Sequence, residues 1–274
     1  MKVGEALTGA RKIIAAAEAR LLLGHVATLT AAEMAAHPER ELAAKEAAAF
    51  QAAISRRAAG EPVAYITGSK EFFGREFSVS PAVLVPRPET ELLVEVGVGK
   101  MQGLAGPRVL DLGVGSGCAA VTLALELPGA IVTAVDLSAE ALAVAKANAE
   151  ALHSGVRFMQ SDWFAALAGE RFDLIVGNPP YVAEGDPHLG DLGFEPKAAL
   201  TSGVDGLDAI RRIVAQAPSH LLPGGWLLLE HGYDQGLAVA QLLASAGFND
   251  VEQHADLAGI PRVSGGRMAA AGAN

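Results

Sequence analysis

The chain has 274 residues and a single cysteine, Cys118, so neither an internal disulfide nor a cysteine-rich zinc site is available to it. Its 21 basic and 31 acidic side chains give a formal net charge of −10, which argues against wrapping a nucleic acid backbone. Hydrophobic residues make up 51%, but the longest uncharged run, Ile213 to Leu229, holds Pro218, Pro223, Gly224 and Gly225, so no membrane span is expected.

The opening, Met1 to Lys12, has no apolar h-region, so no secretory signal is expected, and the lone cysteine fits a reduced cytoplasm. Good helix formers, alanine above all, dominate residues 1–61 and predict a small helical N-terminal domain. Within it, Thr30 with Glu33 three residues on forms a capping-box pattern, and Glu41 to Arg57 predicts a longer helix stopped by Gly60. Over 62–85 the texture changes to short β-type runs, Val63–Ile66, Glu71–Phe73 and Phe77–Val79, punctuated by Gly68 and Gly74. These predict a β-hairpin linker. Residues 86–274 form the third segment, beginning with a helix from Glu89 to Met101.

From Arg108 strands and helices alternate, the pattern of an α/β fold with a mostly parallel sheet and helices on both faces. Strands are expected at Arg108–Leu112, Ile131–Asp136, Val156–Gln160, Leu174–Gly177, Trp226–His231, Asp250–His254 and Arg262–Met268. Helices fall near 117–126, 138–152, 206–220 and 234–246. The last two strands are joined by too few residues for a helical crossover, so they should pair antiparallel at one edge. Charge follows the same division: residues 1–75 carry 10 basic and 8 acidic side chains, leaving 11 basic and 23 acidic on the rest. Asn178 to Gly206 is a long, proline-punctuated loop leaving the carboxyl end of a strand, where open α/β sheets bind ligands.

Three motifs carry chemistry. Asp111-Leu112-Gly113-Val114-Gly115-Ser116-Gly117 follows a strand and opens a helix; its glycines allow a tight turn and close approach of a ligand to the backbone. A dinucleotide fingerprint would require glycine where this chain has Cys118, which counts against a nicotinamide oxidoreductase. Asp136 ends the second strand, and its carboxylate suits both hydroxyls of a ribose, since Ser138 already serves as cap of the next helix. After the third strand, Asp162 and Trp163 either flank an adenine or, with Phe164, cover the sheet edge.

Asn178-Pro179-Pro180-Tyr181 is the most specific signal. An amide-type NH2 is a poor nucleophile because its lone pair is delocalised. The Asn178 side-chain carbonyl and the Pro179 backbone carbonyl can each accept one of its two protons, turning the lone pair toward an electrophile, while Tyr181 offers a flat wall. No metal is needed, and the seven histidines show no ligand spacing.

On these residues the chain resembles class I methyltransferases that use S-adenosylmethionine and, at Asn178 to Tyr181, enzymes that methylate planar NH2 groups. Further segments narrow the likeness: Pro86-Arg87-Pro88-Glu89-Thr90-Glu91, Ser161-Asp162-Trp163-Phe164, Phe194-Glu195-Pro196, Asp205-Gly206-Leu207, Leu229-Glu230-His231-Gly232 and Arg262 to Arg267. Together they resemble the release factor glutamine methyltransferases (the PrmC/HemK family) over essentially the whole chain. The resemblance implies a Rossmann-like methyltransferase domain over 86–274. It also implies methyl transfer from S-adenosylmethionine to the glutamine of the Gly-Gly-Gln motif in class 1 peptide chain release factors. Carried over by position, Gly113, Val114, Gly115, Ser116, Gly117, Asp136, Asp162, Trp163 and Asn178 would line the cofactor, and Asn178, Pro179, Pro180 and Tyr181 would hold the glutamine. Val114 and Gly177 depart from the threonine and serine usual in the family. A cytoplasmic enzyme acting on a protein, with no membrane or nucleic acid partner, is expected. The alternatives are an adenine-amino DNA or RNA methyltransferase, which shares the Asn178–Tyr181 chemistry, and a non-catalytic adaptor docking through its helical domain.

Overall fold

Alanine-rich segments fold into helices because alanine loses no side-chain entropy on doing so, and their small faces allow close packing. In the computed structural model, which describes residues 1–190 and 192–270, Met1–Ser69 forms one unit and Lys70–Asn274 another. The C-terminal limit expected at residue 274 lies outside the described residues.

The first unit comprises α1 (Val3–Ala10), α2 (Ala16–Ala27), α3 (Ala31–Ala36), α4 (Ala44–Ala58) and α5 (Val63–Thr67). Leu22, Leu23, Met34, Phe50 and Ile54 fill its core. The capping box forms as the spacing predicts: Thr30 Oγ1 accepts the Glu33 N–H at 3.2 Å, and Glu33 accepts the Thr30 N–H at 2.8 Å. The β-type reading of Val63–Ile66 is corrected: these residues make one helical turn. Pro62 precedes the turn, and Gly68, at φ +79°, closes it by donating its N–H to the Ala64 carbonyl. The local boundary residues override the strand preference of valine and isoleucine.

The hairpin follows as β1 (Ser69–Phe72) and β2 (Arg75–Ser78), turning through Phe73 and Gly74, both at positive φ. The remaining elements are α6 (Pro88–Met101), β3 (Arg108–Leu112), α7 (Cys118–Glu126), β4 (Ile131–Asp136), α8 (Ala139–Ala151), β5 (Val156–Gln160), β6 (Phe172–Gly177), α9 (Asp208–His220), β7 (Leu221–Glu230), α10 (Gly236–Ser245), β8 (Asn249–Ala255) and β9 (Pro261–Arg267). Two short 3-10 turns, Pro187–Gly190 and Lys197–Ala199, interrupt the segment between β6 and α9.

The sheet order is β5-β4-β3-β6-β7-β9-β8, with the first five strands parallel and β9 antiparallel to both of its neighbours. This is the mostly parallel seven-stranded sheet with an antiparallel edge pair that the sequence predicts. Both faces are buried, so side chains alternate between two cores. Leu174, Val176 and Leu228 face one core with Leu93 and Leu123, while Ile175, Leu227 and Leu229 face the other with Ile213 and Leu243.

The register has a direct consequence for function. Leu112 pairs with Val135 and with Gly177, Gly177 pairs with Leu229, and Asp136 pairs with Gln160. One position further on, Gln160, Asp136, Gly113, Asn178 and Glu230 therefore form a single transverse row at the carboxyl ends of five strands. Strand order reverses between β3 and β6, so the row crosses the switch point where such sheets open a cleft.

A buried asparagine ties this region together. Asn148 of α8 donates to the carbonyls of Ser78 in β2 (2.9 Å) and Ser116 in the glycine loop (2.8 Å), and it accepts the Ser78 N–H (2.8 Å). Asn148→Ala leaves three backbone groups short of a partner. We expect it to cost the unit about 3 kcal/mol, seen as a lower urea midpoint with an unchanged m-value.

Candidate active site

A cavity of about 610 Å³ opens at the switch point. Among the site residues expected from sequence, Gly113, Val114, Gly115, Ser116, Asp136, Asp162, Trp163, Asn178 and Pro180 line it. Gly117, Pro179 and Tyr181 do not appear on its wall. Gly117, at φ +84°, lies against α8, where an added Cβ would come within 3.1 Å of Ala145. Tyr181 packs on the core that contains Ile175 and Leu229.

The glycine loop is held open by its own backbone. Gly113 and Val114 donate to the Val135 carbonyl at 2.9 and 3.0 Å, and Gly113 and Gly115 adopt φ of +76° and +52°, which glycine enters without strain. Asp136 fixes the loop further: it accepts the Gly115 N–H at 3.0 Å and the Ser138 N–H at 2.9 Å. Ser138 in turn caps α8 by accepting the Ala141 N–H at 3.1 Å, as its position predicts. The first role of Asp136 in the fold is thus to orient the loop, and each carboxylate oxygen keeps a second lone pair.

Trp163 holds an unusual backbone, φ +50°, which a bulky residue adopts only when its surroundings enforce it. Ser161 supplies that constraint by donating to the Trp163 carbonyl at 2.8 Å and accepting the Ala166 N–H at 3.0 Å. The indole then lies over the loop, 3.6 Å from where a Gly113 Cβ would stand. Neighbouring Asp162 is paired with Arg212, a cavity residue the sequence did not single out, at 2.8 Å.

Asp111 lies in β3 immediately before the loop. It is buried on the cavity wall, and its Oδ2 has no hydrogen-bond partner. Burial, with the Asp136 charge adding to it, pushes its carboxyl up to about 7. A buried carboxylate oxygen without a partner on a cavity wall is a place for a cation or a strong donor. A dinucleotide would instead bring a diphosphate toward two carboxylates. The donor set therefore fits a positively charged nucleoside such as S-adenosylmethionine better than a dinucleotide.

At the other end of the row, a hydrogen-bonded chain runs through the protein. Asn178 Nδ2 donates to Thr90 Oγ1 at 3.1 Å, Thr90 donates to Glu230 Oε2 at 2.7 Å, and the Tyr181 hydroxyl donates to Glu230 Oε1 at 3.3 Å. Thr90 and Glu230 lie within segments that resemble the family, yet motif reading assigns them no role. A carboxylate closing the apolar run Leu227–Leu229 is the signal that marks Glu230. The long loop is ordered by Val182, which pairs with Thr201, and by Gln235, which donates to the Tyr181 carbonyl at 2.9 Å. A Cβ at Gly206 would overlap that same carbonyl oxygen. The buried Glu195 accepts from Arg87 and from the Val85 N–H, tying the loop to the cavity's upper wall.

Residues 3–68 match the family model of the PrmC N-terminal domain, and residues 89–190 match that of the methyltransferase small domain. A release factor glutamine methyltransferase of Burkholderia pseudomallei is 53% identical over 262 residues, covering 92% of each chain. One from Bordetella pertussis is 52% identical over 254 residues, covering 92% of this chain and 94% of the relative. Among solved structures, a methyltransferase from Pyrococcus furiosus superposes with a TM-score of 0.56 at 22% identity, covering 80% of this chain and 98% of that one. A Thermus thermophilus 16S rRNA N2 G1207 methyltransferase, solved with AdoMet and guanosine, gives 0.56 at 24% identity, covering 73% and 49%. These two likenesses concern the fold.

The raised carboxyl of Asp111 has a measurable sign. Protonation is favoured in the folded state, so its stabilising contribution is complete below the unfolded carboxyl's range and is lost as pH rises through about 7. Wild type should therefore lose stability relative to Asp111→Asn by about 1 kcal/mol between pH 6 and 7, with the difference flat above pH 8, in ligand-free urea titrations.

Proposed function

The chain belongs to the release factor glutamine methyltransferase family, and on that footing we propose that it methylates the glutamine of the Gly-Gly-Gln motif in class 1 peptide chain release factors, with S-adenosylmethionine as donor. The observation that carries the proposal is the row itself: Asn178, an acceptor for an amide NH2, stands beside a cavity whose Asp111 and Asp136 suit a cationic nucleoside. When bound, S-adenosylmethionine supplies an electrophilic methyl group on a sulfonium.

This chain's residues do the rest by placement. Asp136 meets ribose hydroxyls, Asp162 and Trp163 border the adenine, and the backbone of Gly113 to Gly117 permits close approach. Asn178 Oδ1 and the Pro179 carbonyl accept the two protons of the substrate amide, which directs the nitrogen lone pair into the cavity. As the new C–N bond forms and the C–S bond breaks, the nitrogen becomes acidic and gives up one proton. Either acceptor can hold that hydrogen bond until solvent takes the proton, so no strong base is needed. Holding the reactants in line, away from water, is the main source of acceleration. Tyr181 contributes by anchoring the turn against Glu230.

The acidic balance of residues 76–274 supports a protein acceptor over a nucleic acid base. No helix among the described residues is long and apolar enough to cross a membrane. A translation factor as substrate sets the reaction in the cytoplasm.

Mass spectrometry of a release factor co-incubated with enzyme and donor should show one added methyl group, on the Gly-Gly-Gln glutamine; labelled ribosomal RNA in its place would refute the proposal. Asn178→Ala should lower kcat at least ~100-fold with the fold retained by circular dichroism. Asp136→Ala should raise the donor Kd in calorimetry by ~10-fold or more, and unchanged binding would remove the ribose assignment.

A further inference from the structure

We propose that Glu230 is a positioning residue for the methyl acceptor: through Thr90 it decides which end of the Asn178 amide faces the cavity, and it holds Tyr181 with its other oxygen. The inference rests on the function proposed above and adds two residues, Thr90 and Glu230, to the machinery.

The argument is one of proton counting. The Thr90 hydroxyl has a single proton, and it is given to Glu230 Oε2 at 2.7 Å. Thr90 Oγ1 can then only accept from a third group. Asn178 lies 3.1 Å away and must present its NH2 end to that oxygen. Its carbonyl end is left for the cavity, the only orientation that can accept a proton from a substrate amide. With the amide turned over, Asn178 would offer a donor to a donor. Thr90 and Glu230 are 4% and 1% exposed, so bulk water does not supply an alternative partner.

A carboxylate is the one side chain that serves here, because it accepts at both oxygens and can hold Thr90 and Tyr181 together. A glutamine of the same shape must point its own NH2 at one of them. Facing Thr90, it reverses the chain and turns Asn178 over; facing Tyr181, it displaces the phenol proton. Protonation of Glu230 has a similar effect. Burial pushes its carboxyl up to about 7, and the surrounding groups are Tyr181 beyond β6, Glu89 of α6, Cys118 of α7, Arg262 of β9 and Arg87. Acid should therefore disorganise the acceptor.

The test uses full-length enzyme, release factor and S-adenosylmethionine. Glu230→Gln and Thr90→Val should each lower kcat at least ~10-fold with the donor Kd within ~2-fold of wild type. Thr90→Ser, which keeps the hydroxyl, should recover most of what Thr90→Val loses. The Asn178 side-chain NH2 resonances of the ligand-free wild type should move as pH falls through about 7, and in Glu230→Gln they should stay flat over that range. Near-wild-type kcat in Glu230→Gln or Thr90→Val, a serine variant as impaired as the valine one, or a donor Kd rising in step with the loss would overturn the proposal. The Asn178 side-chain NH2 resonances provide a readout independent of any substrate. They should move in Glu230→Gln and Thr90→Val and stay in place in Thr90→Ser. If wild type leaves the release factor unmethylated while these shifts appear, the proposed function fails and the positioning network stands; unmoved resonances overturn the network alone.

Discussion

The register of five parallel strands is the constraint on which everything else depends. Pairing of Leu112 with Val135 and Gly177, and of Gly177 with Leu229, leaves no freedom in where the next residues go. Slipping any strand by one residue would turn its apolar set from one core to the other, a change that two packed faces forbid. The burial of leucines and valines deep in the sheet thus sets the spacing of Asp136, Gly113, Asn178 and Glu230 at its rim.

Along that rim the protein tolerates carboxylates that water would have stabilised better. Asp111 keeps an oxygen without a partner, and Asp111 and Glu230 are both pushed up to about 7 by burial. The two are handled differently. Glu230 is satisfied internally by Thr90 and Tyr181, and so shapes other side chains. Asp111 meets the Ala120 backbone but keeps Oδ2 free, and that oxygen is available to a cation. The first is an organising charge and the second a receiving one.

The sequence made the local features legible. The glycine motif, the Thr30 and Ser138 caps and the alternation of strands and helices depend on neighbours within a few residues, and the fold follows them closely. Asn178 was legible because Asn-Pro-Pro-Tyr is chemically unusual. Thr90 and Glu230 were not, because their link spans 140 residues and exists only once α6 crosses the ends of β6 and β7. Arg212 and Arg87 were hidden in the same way, each meeting an acid far away in the chain. Val63–Ile66 misleads for the opposite reason: its β-type composition is real, but Pro62 and Gly68 decide the outcome. Tyr181, whose chemistry suits a flat wall for the substrate, also packs on a core and donates to a carboxylate, contacts that depend on residues far along the chain.

The loop between β6 and α9 is closed at its neck, where Val182 meets Thr201, Glu184 donates to Gly203 and Gln235 grips the Tyr181 carbonyl. Because closure entropy changes only slowly with length, the span inside that neck can lengthen or shorten without loosening Asn178. The span is restrained at its end, where Glu195 must still meet Arg87 and the Val85 N–H and where Pro196, Ala198 and Ala199 line the cavity. The chain therefore separates two properties that many enzymes entangle. The turn from Asn178 to Tyr181 is fixed outside the neck by Thr90, Glu230 and Gln235, whatever the length of the span within it.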